Sequence, residues 1–518
     1  MKTDLSQIIS AMSNPEIYPE PANEVKMIQT QMSVVFLAGE FVYKVKKPVN
    51  LGYVDYTTLE RRLTYCQREL ELNRRLCPRA YLGVVSITSN DGGIQIEGDG
   101  ETVEYAVKMR RLPAESMLDT LLSENKVTTD MMADLAVKIA DFHASAETNA
   151  VTSEYGSVAN IRLNTEENFH QTDRYIGTCI SEKQLSRIKD FTHRFIDSKA
   201  PLFEARTKGG KIRDCHGDLQ AAHVCFCLDL CIYDCIEFNE RFRYGDVAAE
   251  VAFLAMDIDH LGRADLSRSF IDAYVAHSQD EEIPALLMFY KCYRAYIRGK
   301  VNCFKVSDPY VDAEERHIAI ANAREYFGLA TAYTRAQPWL IIMNGMVGSG
   351  KSTIARRLSS RLGLIYISSD VTRKQLAGMD PFEHRFDEPQ DGLYSADFTA
   401  LTYRTILERA SAAIQKGDSV IIDAAFLKHE ERMTAVLMAD KVGAESFIVE
   451  CDIQPELAQE RLTQRLTEVT ASDGRWDIFV EQQRWREPVV EVPLSRHITV
   501  DAASPLEENI TRIAERII

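Results

Sequence analysis

Over the first hundred residues the apolar positions follow strand patterns. Ser33–Ala38 and Phe41–Lys46 are two β-rich runs around Gly39-Glu40, which predicts a hairpin. From Thr57 to Cys77 the period changes: Leu59, Leu63, Cys66, Leu70 and Leu76 recur at helical spacing, and Pro78 stops the run. Further strands are predicted at Leu82–Thr88 and Thr102–Met109, parted by the turn signal Asn90-Asp91-Gly92-Gly93. From Ser116 to about Ile196 the pattern is helical. A short apolar, cysteine-rich patch at Val224–Ile236 interrupts it, and helices resume from Asp246 to about Ala332. After Gln337-Pro338 strand runs at Trp339–Asn344, Leu364–Ser368, Ser419–Ile422 and Ser446–Cys451 alternate with helical runs such as Ser352–Leu362 and Ala400–Gln415. That order predicts a parallel sheet with crossover helices. The expected organisation is an α+β domain over 1–335 followed by an α/β domain over 336–518.

Composition narrows the function. The chain has 518 residues, 45% hydrophobic and 26% charged, which is globular and long enough for more than one domain. With 77 acidic and 60 basic side chains the net charge is −17, so a protein that coats nucleic acid or anionic membrane is not expected. The apolar stretch Val247–Ile258 carries Glu250 and Asp257 and is too short for a bilayer, so no membrane partner is expected. The N-terminal MKTDLSQIISAMSNP has no apolar h-region, and the 11 cysteines fit a reducing compartment better than a disulfide framework. The expected location is the cytoplasm. Cys225, Cys227, Cys231 and Cys235 lack the paired C-x₂-C spacing of structural zinc.

The apolar run Trp339–Asn344 leads straight into GMVGSGKST, residues 345–353, and then a helix. This is GxxxxGK[ST] in the strand–loop–helix setting that gives the motif its meaning. Gly345, Gly348, Ser349 and Gly350 let backbone N–H groups face phosphates. Lys351 neutralises β/γ oxygens, Ser352 offers a hydroxyl to Mg²⁺, and Thr353 continues the helix start. Val420–Asp423 is an apolar strand ending in a carboxylate, placing Asp423 in the Mg²⁺ shell. Asp370, after the second strand, is placed to accept the proton of an attacking hydroxyl, with Arg373 gripping the acceptor; helix capping is the competing use of both acids. Arg461 and Arg465 lie four apart on one helix face, as a phosphate-clamping lid requires.

The pieces GMVGSGKS, SSDVTRK and VIIDAAF, in that order and spacing, resemble the small P-loop kinases (gluconate kinase, zeta toxin and phage polynucleotide kinase) over roughly 339–490. The resemblance implies a P-loop NTPase fold that uses ATP and Mg²⁺, and a hydroxyl-activating role for Asp370.

A second set of residues lies at Asp214–Asn239, with His216-Gly217-Asp218 followed by His223, Asp234 and Glu237. A loop Asp that takes a substrate proton, with metal ligands five and about nineteen residues later, is a phosphotransferase layout. HGDL resembles the aminoglycoside phosphotransferase family over about 25–330, which implies a bilobal kinase-like fold and a catalytic role for Asp218. His223 stands where that family has Asn. Glu237 fits the second ligand position slightly better by spacing, with Asp234 the alternate. In Phe41–Lys46 the nucleotide lysine is Lys44 or Lys46, which share a strand face; Lys44 is favoured, with Glu69 of the next helix as its partner. The Ala38-Gly39-Glu40 turn is expected to cover the phosphates. His143 is expected to be structural.

The whole reads as an ATP-dependent phosphotransferase with two Mg²⁺·ATP sites acting on small-molecule hydroxyl acceptors. The alternative is that only the P-loop half turns over ATP, on a small molecule or a polynucleotide 5′-hydroxyl, and the N-terminal half is a regulatory binding module.

Overall fold

The computed structural model describes residues 4–227, 229–308, 311–380, 392–465 and 474–518. The chain divides into two units, one of residues 1–166, 194–257 and 269–290, the other of 167–193, 258–268 and 291–518. No helix among the described residues is long and apolar enough to cross a membrane.

The first unit opens on an antiparallel sheet in the order Val25–Gln29, Ser33–Ala38, Phe41–Lys46, Glu101–Arg110, Tyr81–Asn90, Gly93–Ile96. The expected hairpin forms, with Ala38 opposite Phe41 and Ser33 opposite Lys46. Its Val34, Phe36, Tyr43 and Val45 sit in a core with Ile8, Met12, Val85 and Ile87. Val25–Gln29 is an edge strand with four exposed residues, so it shows no apolar alternation and was not anticipated. Helix Leu59–Arg74 starts at Thr58, whose hydroxyl accepts from the Arg61 amide at 3.2 Å. It buries Cys66 and Leu72 and, unusually, Glu69 and Asn73. A buried carboxylate on a helix face needs a partner.

In the second unit five parallel strands run in the order Ile365–Ser368, Val420–Asp423, Trp339–Asn344, Glu445–Asp452, His497–Asp501. Trp339–Asn344 is central and wholly buried, so both its faces are apolar, as the sequence run requires. Helices Lys351–Leu362 and Leu506–Ile517 cover one face through Ile354, Leu358, Ile510 and Ile513. Helices Ala396–Gln415 and His429–Lys441 cover the other through Ile406, Ala410, Ala435 and Ala439. The fifth strand, His497–Asp501, alternates buried Ile498 and Val500 with partly or fully exposed residues, so it forms no continuous apolar run in the sequence.

The expected reduced cysteines hold for nine of the eleven; Cys77 and Cys231 are joined as a disulfide. Both lie in one apolar cluster with Cys66, Cys225, Tyr81 and Val107, which brings their Cα atoms to 4.7 Å across 154 residues of chain.

Candidate active sites

The buried strand Trp339–Asn344 delivers its last residue to Gly345, and helix Lys351–Leu362 begins six residues later. The loop between them turns through Gly348 at φ +84° and Gly350 at φ +77°, the second being the residue on which the helix starts. A side chain is strained at both positions, and the turn leaves the first helical amides facing the loop. Lys351 and Ser352 are half-buried there and Thr353 is exposed.

Asp423 ends the neighbouring strand and is 4% exposed. The Tyr366 hydroxyl donates to its Oδ2 at 2.5 Å, while its Oδ1 is buried with no hydrogen-bond partner. The Ser349 hydroxyl in the loop is likewise buried and unpartnered. A desolvated carboxylate oxygen left unpaired is costly and is a place for a cation. Ser352 and Asp423 supply hard oxygen donors, the set that Mg²⁺ prefers.

Helix Ser369–Leu376 is capped by Ser368, whose hydroxyl accepts from the Val371 amide at 3.4 Å, so its Asp370 is not the cap. Helix His429–Lys441 starts from Lys428, so Asp423 caps nothing there either. Arg373 is 6% exposed; its Nη1 donates to the Leu393 carbonyl at 2.6 Å and the Thr399 hydroxyl at 3.1 Å, and its guanidinium lies over Tyr394. One arm of this side chain therefore anchors the 392–399 segment. Arg461 donates to the Ala502 carbonyl at 2.7 Å, and its Nη1 lies 3.4 Å from where a Cβ on Gly350 would stand. It overhangs the loop. Arg465 ends the same helix, and its side chain lies outside the described residues. One loop contact was not anticipated: the Val347 amide donates to Gln482 Oε1 at 2.7 Å.

In the first unit Glu69 stands between both candidate lysines, Lys44 Nζ 2.9 Å from Oε1 and Lys46 Nζ 2.7 Å from Oε2. Their other partners separate them. Lys46, 1% exposed, pairs with Glu237, which also accepts from the Tyr56 hydroxyl at 2.7 Å. Lys44 reaches Asp234 Oδ1 at 2.6 Å. Glu237 is thus enclosed in a buried ion pair, whereas Asp234, the alternate by spacing, is half-open and next to the catalytic-loop candidates. Asp234 also takes φ +63°, a conformation that non-glycine residues rarely hold. Burial would raise its carboxyl, yet the ammonium of Lys44 holds it well below the usual carboxylate range.

His223 Nε2 is 3.8 Å from Asp234 Oδ2, and its Nδ1 is 2.8 Å from the Asp218 carbonyl and 3.7 Å from the Asp218 carboxylate. Asp218 accepts from Gln220 Nε2. Asp218, His223, Asp234 and Lys44 are therefore linked, with Glu69 behind them. The Gly39 turn packs against the chain before the sheet, where a Cβ on Gly39 would meet the Pro21 carbonyl at 2.8 Å, and the Val25–Gln29/Ser33–Ala38 turn lies at the Lys46 end of the strand.

The Asp218 loop is held from below. Glu250 accepts from the amides of His216 at 2.9 Å and Gly217 at 2.6 Å, and from His143 Nε2 at 2.8 Å; His143 Nδ1 meets the Tyr274 hydroxyl at 2.7 Å. His143 is structural through this chain. The sequence marks Glu250 too, since a carboxylate inside the apolar helix Val247–His260 needs buried partners. Burial pushes its carboxyl up, but His143 and His216, the latter also through its amide, hold it at about 2. The folded value lies below the ordinary 4.5, so the stabilisation is complete above about pH 4.5 and is lost as pH falls toward 2. Urea titrations at pH 5, 4 and 3 should show Glu250→Gln losing less stability over that interval than wild type. The difference approaches roughly 3 kcal/mol at the acid limit; parallel curves would count against the assignment.

A family model for the AAA domain matches residues 340–489, so the C-terminal region carries a P-loop nucleotide-binding domain. The uncharacterized protein Rv2004c of Mycobacterium tuberculosis (strain ATCC 25618 / H37Rv) is 31% identical over 451 residues, 86% of this chain and 87% of that one. Protein Mb2027c of Mycobacterium bovis matches with the same figures. Among solved structures, a glucosamine kinase in complex with glucosamine, ADP and inorganic phosphate is 15% identical, covering 61% of this chain and 80% of its own, at a TM-score of 0.35. A gluconokinase from Sinorhizobium meliloti 1021 is 20% identical over 35% of this chain and 97% of its own, at 0.25. At these scores neither likeness bears on the chemistry.

Proposed function

We propose that this chain, which belongs to the same family as the mycobacterial protein Rv2004c, is an ATP-dependent phosphotransferase with two nucleotide sites, each passing a γ-phosphate to a small-molecule hydroxyl. The observation that carries this reading is the P-loop between a buried strand and a helix start, beside an Asp423 oxygen that lacks a partner. In that half the loop amides and Lys351 hold the β- and γ-phosphates, Arg461 closes over them, and Asp370 accepts the proton of the attacking hydroxyl. Arg373 shapes the acceptor wall. Mg²⁺, bound with ATP by Ser352 and Asp423, supplies charge neutralisation at the phosphates.

In the N-terminal, kinase-like half Lys44 neutralises the phosphates, Glu69 orients Lys44, and Asp218 takes the acceptor proton. Its loop is kept in place by Glu250. Both centres work by positioning and by fixed charge rather than by covalent chemistry. The regulatory alternative for this half is favoured by a specific feature, the bridging of Glu69 and Glu237 by the buried Lys46.

A γ-labelled ATP transfer screen over a pool of sugars, amino sugars and polyols separates the two readings. Asp218→Ala and Lys351→Ala should each lose a different subset of the wild-type products. If Asp218→Ala retains every product, the N-terminal half is a binding module; if Lys351→Ala does, the P-loop assignment fails.

A further inference from the structure

The donor set of the N-terminal centre does not match the ion that serves the P-loop half. Mg²⁺ selects oxygen ligands, and the position five residues after Asp218 is an imidazole. The tautomer of that imidazole follows from its neighbour. His223 Nδ1 is 2.8 Å from the Asp218 carbonyl oxygen, which can only accept, so Nδ1 carries the hydrogen. In the neutral ring Nε2 then presents its lone pair, and it faces Asp234 Oδ2 at 3.8 Å. The gap is too long for a hydrogen bond and falls within the roughly 4 Å that two bonds of about 2.1 Å to one ion can span. A histidine whose second nitrogen is tied to a backbone carbonyl is also how proteins orient imidazole toward a metal. The other oxygen of Asp234 is fixed by Lys44 at 2.6 Å, so the carboxylate cannot swing away from His223 without losing that pair.

From this geometry we propose that the N-terminal centre takes its nucleotide with a borderline transition cation of the Mn²⁺, Co²⁺ or Zn²⁺ type, held by His223 Nε2 and Asp234, in preference to Mg²⁺. The inference rests on the reading of this half as a nucleotide site, and the test separates the two.

The probe is Mn²⁺ or Mg²⁺ with the β,γ-methylene analogue of ATP, added to the full-length Lys351→Ala protein so that the P-loop site is silent. Calorimetry should show the analogue binding about tenfold or more tighter with Mn²⁺ than with Mg²⁺. Pulsed electron paramagnetic resonance should show a nitrogen coupling to Mn²⁺ that changes to the ¹⁵N pattern when the protein is labelled with ¹⁵N-histidine. Adding His223→Asn should abolish that coupling and remove the Mn²⁺ preference while binding with Mg²⁺ persists. Equal affinities with both ions and no histidine coupling would overturn the inference and leave the nucleotide reading standing. No binding with either ion would overturn both.

Discussion

Lys351→Ala is expected to lower kcat/KM for the C-terminal transfer about 10³-fold, roughly 4 kcal/mol of transition-state stabilisation. The size follows from the arrangement around the loop. Lys351 is the first residue of its helix, where the phosphates are to sit, and among the described residues no ion pair engages it. Loop amides alone leave the charge developing on the γ-phosphoryl group only partly compensated. The fold should not suffer. A cation in the first turn opposes the helix dipole, so its removal leaves the melting temperature unchanged or slightly higher. Steady-state kinetics on a C-terminal substrate, with a thermal melt as control, checks both. A loss of less than tenfold in kcat/KM would show that Lys351 does not neutralise the transferring phosphate.

Asp218→Ala carries the second large effect, a fall in N-terminal transfer of about 10³-fold or more in kcat with little change in KM for ATP. The carboxylate is one-third exposed, and its carbonyl rather than its side chain makes the short bond to His223, so truncation leaves the loop in place. Glu250 still holds the amides of His216 and Gly217. Asp218→Asn should be nearly as damaging, because the amide keeps the shape but cannot take the proton. A variant in which KM rises and kcat is preserved would make Asp218 a binding residue and not a base.

The two halves were legible to different depths, for a physical reason. The P-loop is local: nine consecutive residues, a strand before and a helix after define the site, and Asp423 announces itself by ending an apolar strand. The competing cap role of Asp370 was settled only by the hydroxyl of Ser368, one bond that no pattern shows. The N-terminal centre is assembled from segments 190 residues apart, Lys44 and Asp234 among them. Lys44 and Lys46 share a face, so periodicity could not divide them; what separates them is which carboxylate each meets. Spacing alone favoured Glu237 over Asp234; in the structure Glu237 pairs with the buried Lys46, while Asp234, in a left-handed turn, pairs with Lys44. Tyr56, Gln482 and Tyr366 act through single hydrogen bonds to distant residues, and nothing in the sequence pattern marks them.

If one polypeptide holds two triphosphate sites, bound nucleotide can be counted. Equilibrium titration with the β,γ-methylene analogue, in buffer containing both Mg²⁺ and Mn²⁺, should give two molecules per wild-type chain and one per chain in each of Lys44→Ala and Lys351→Ala. A single molecule per wild-type chain, abolished by Lys351→Ala and untouched by Lys44→Ala, would contradict it.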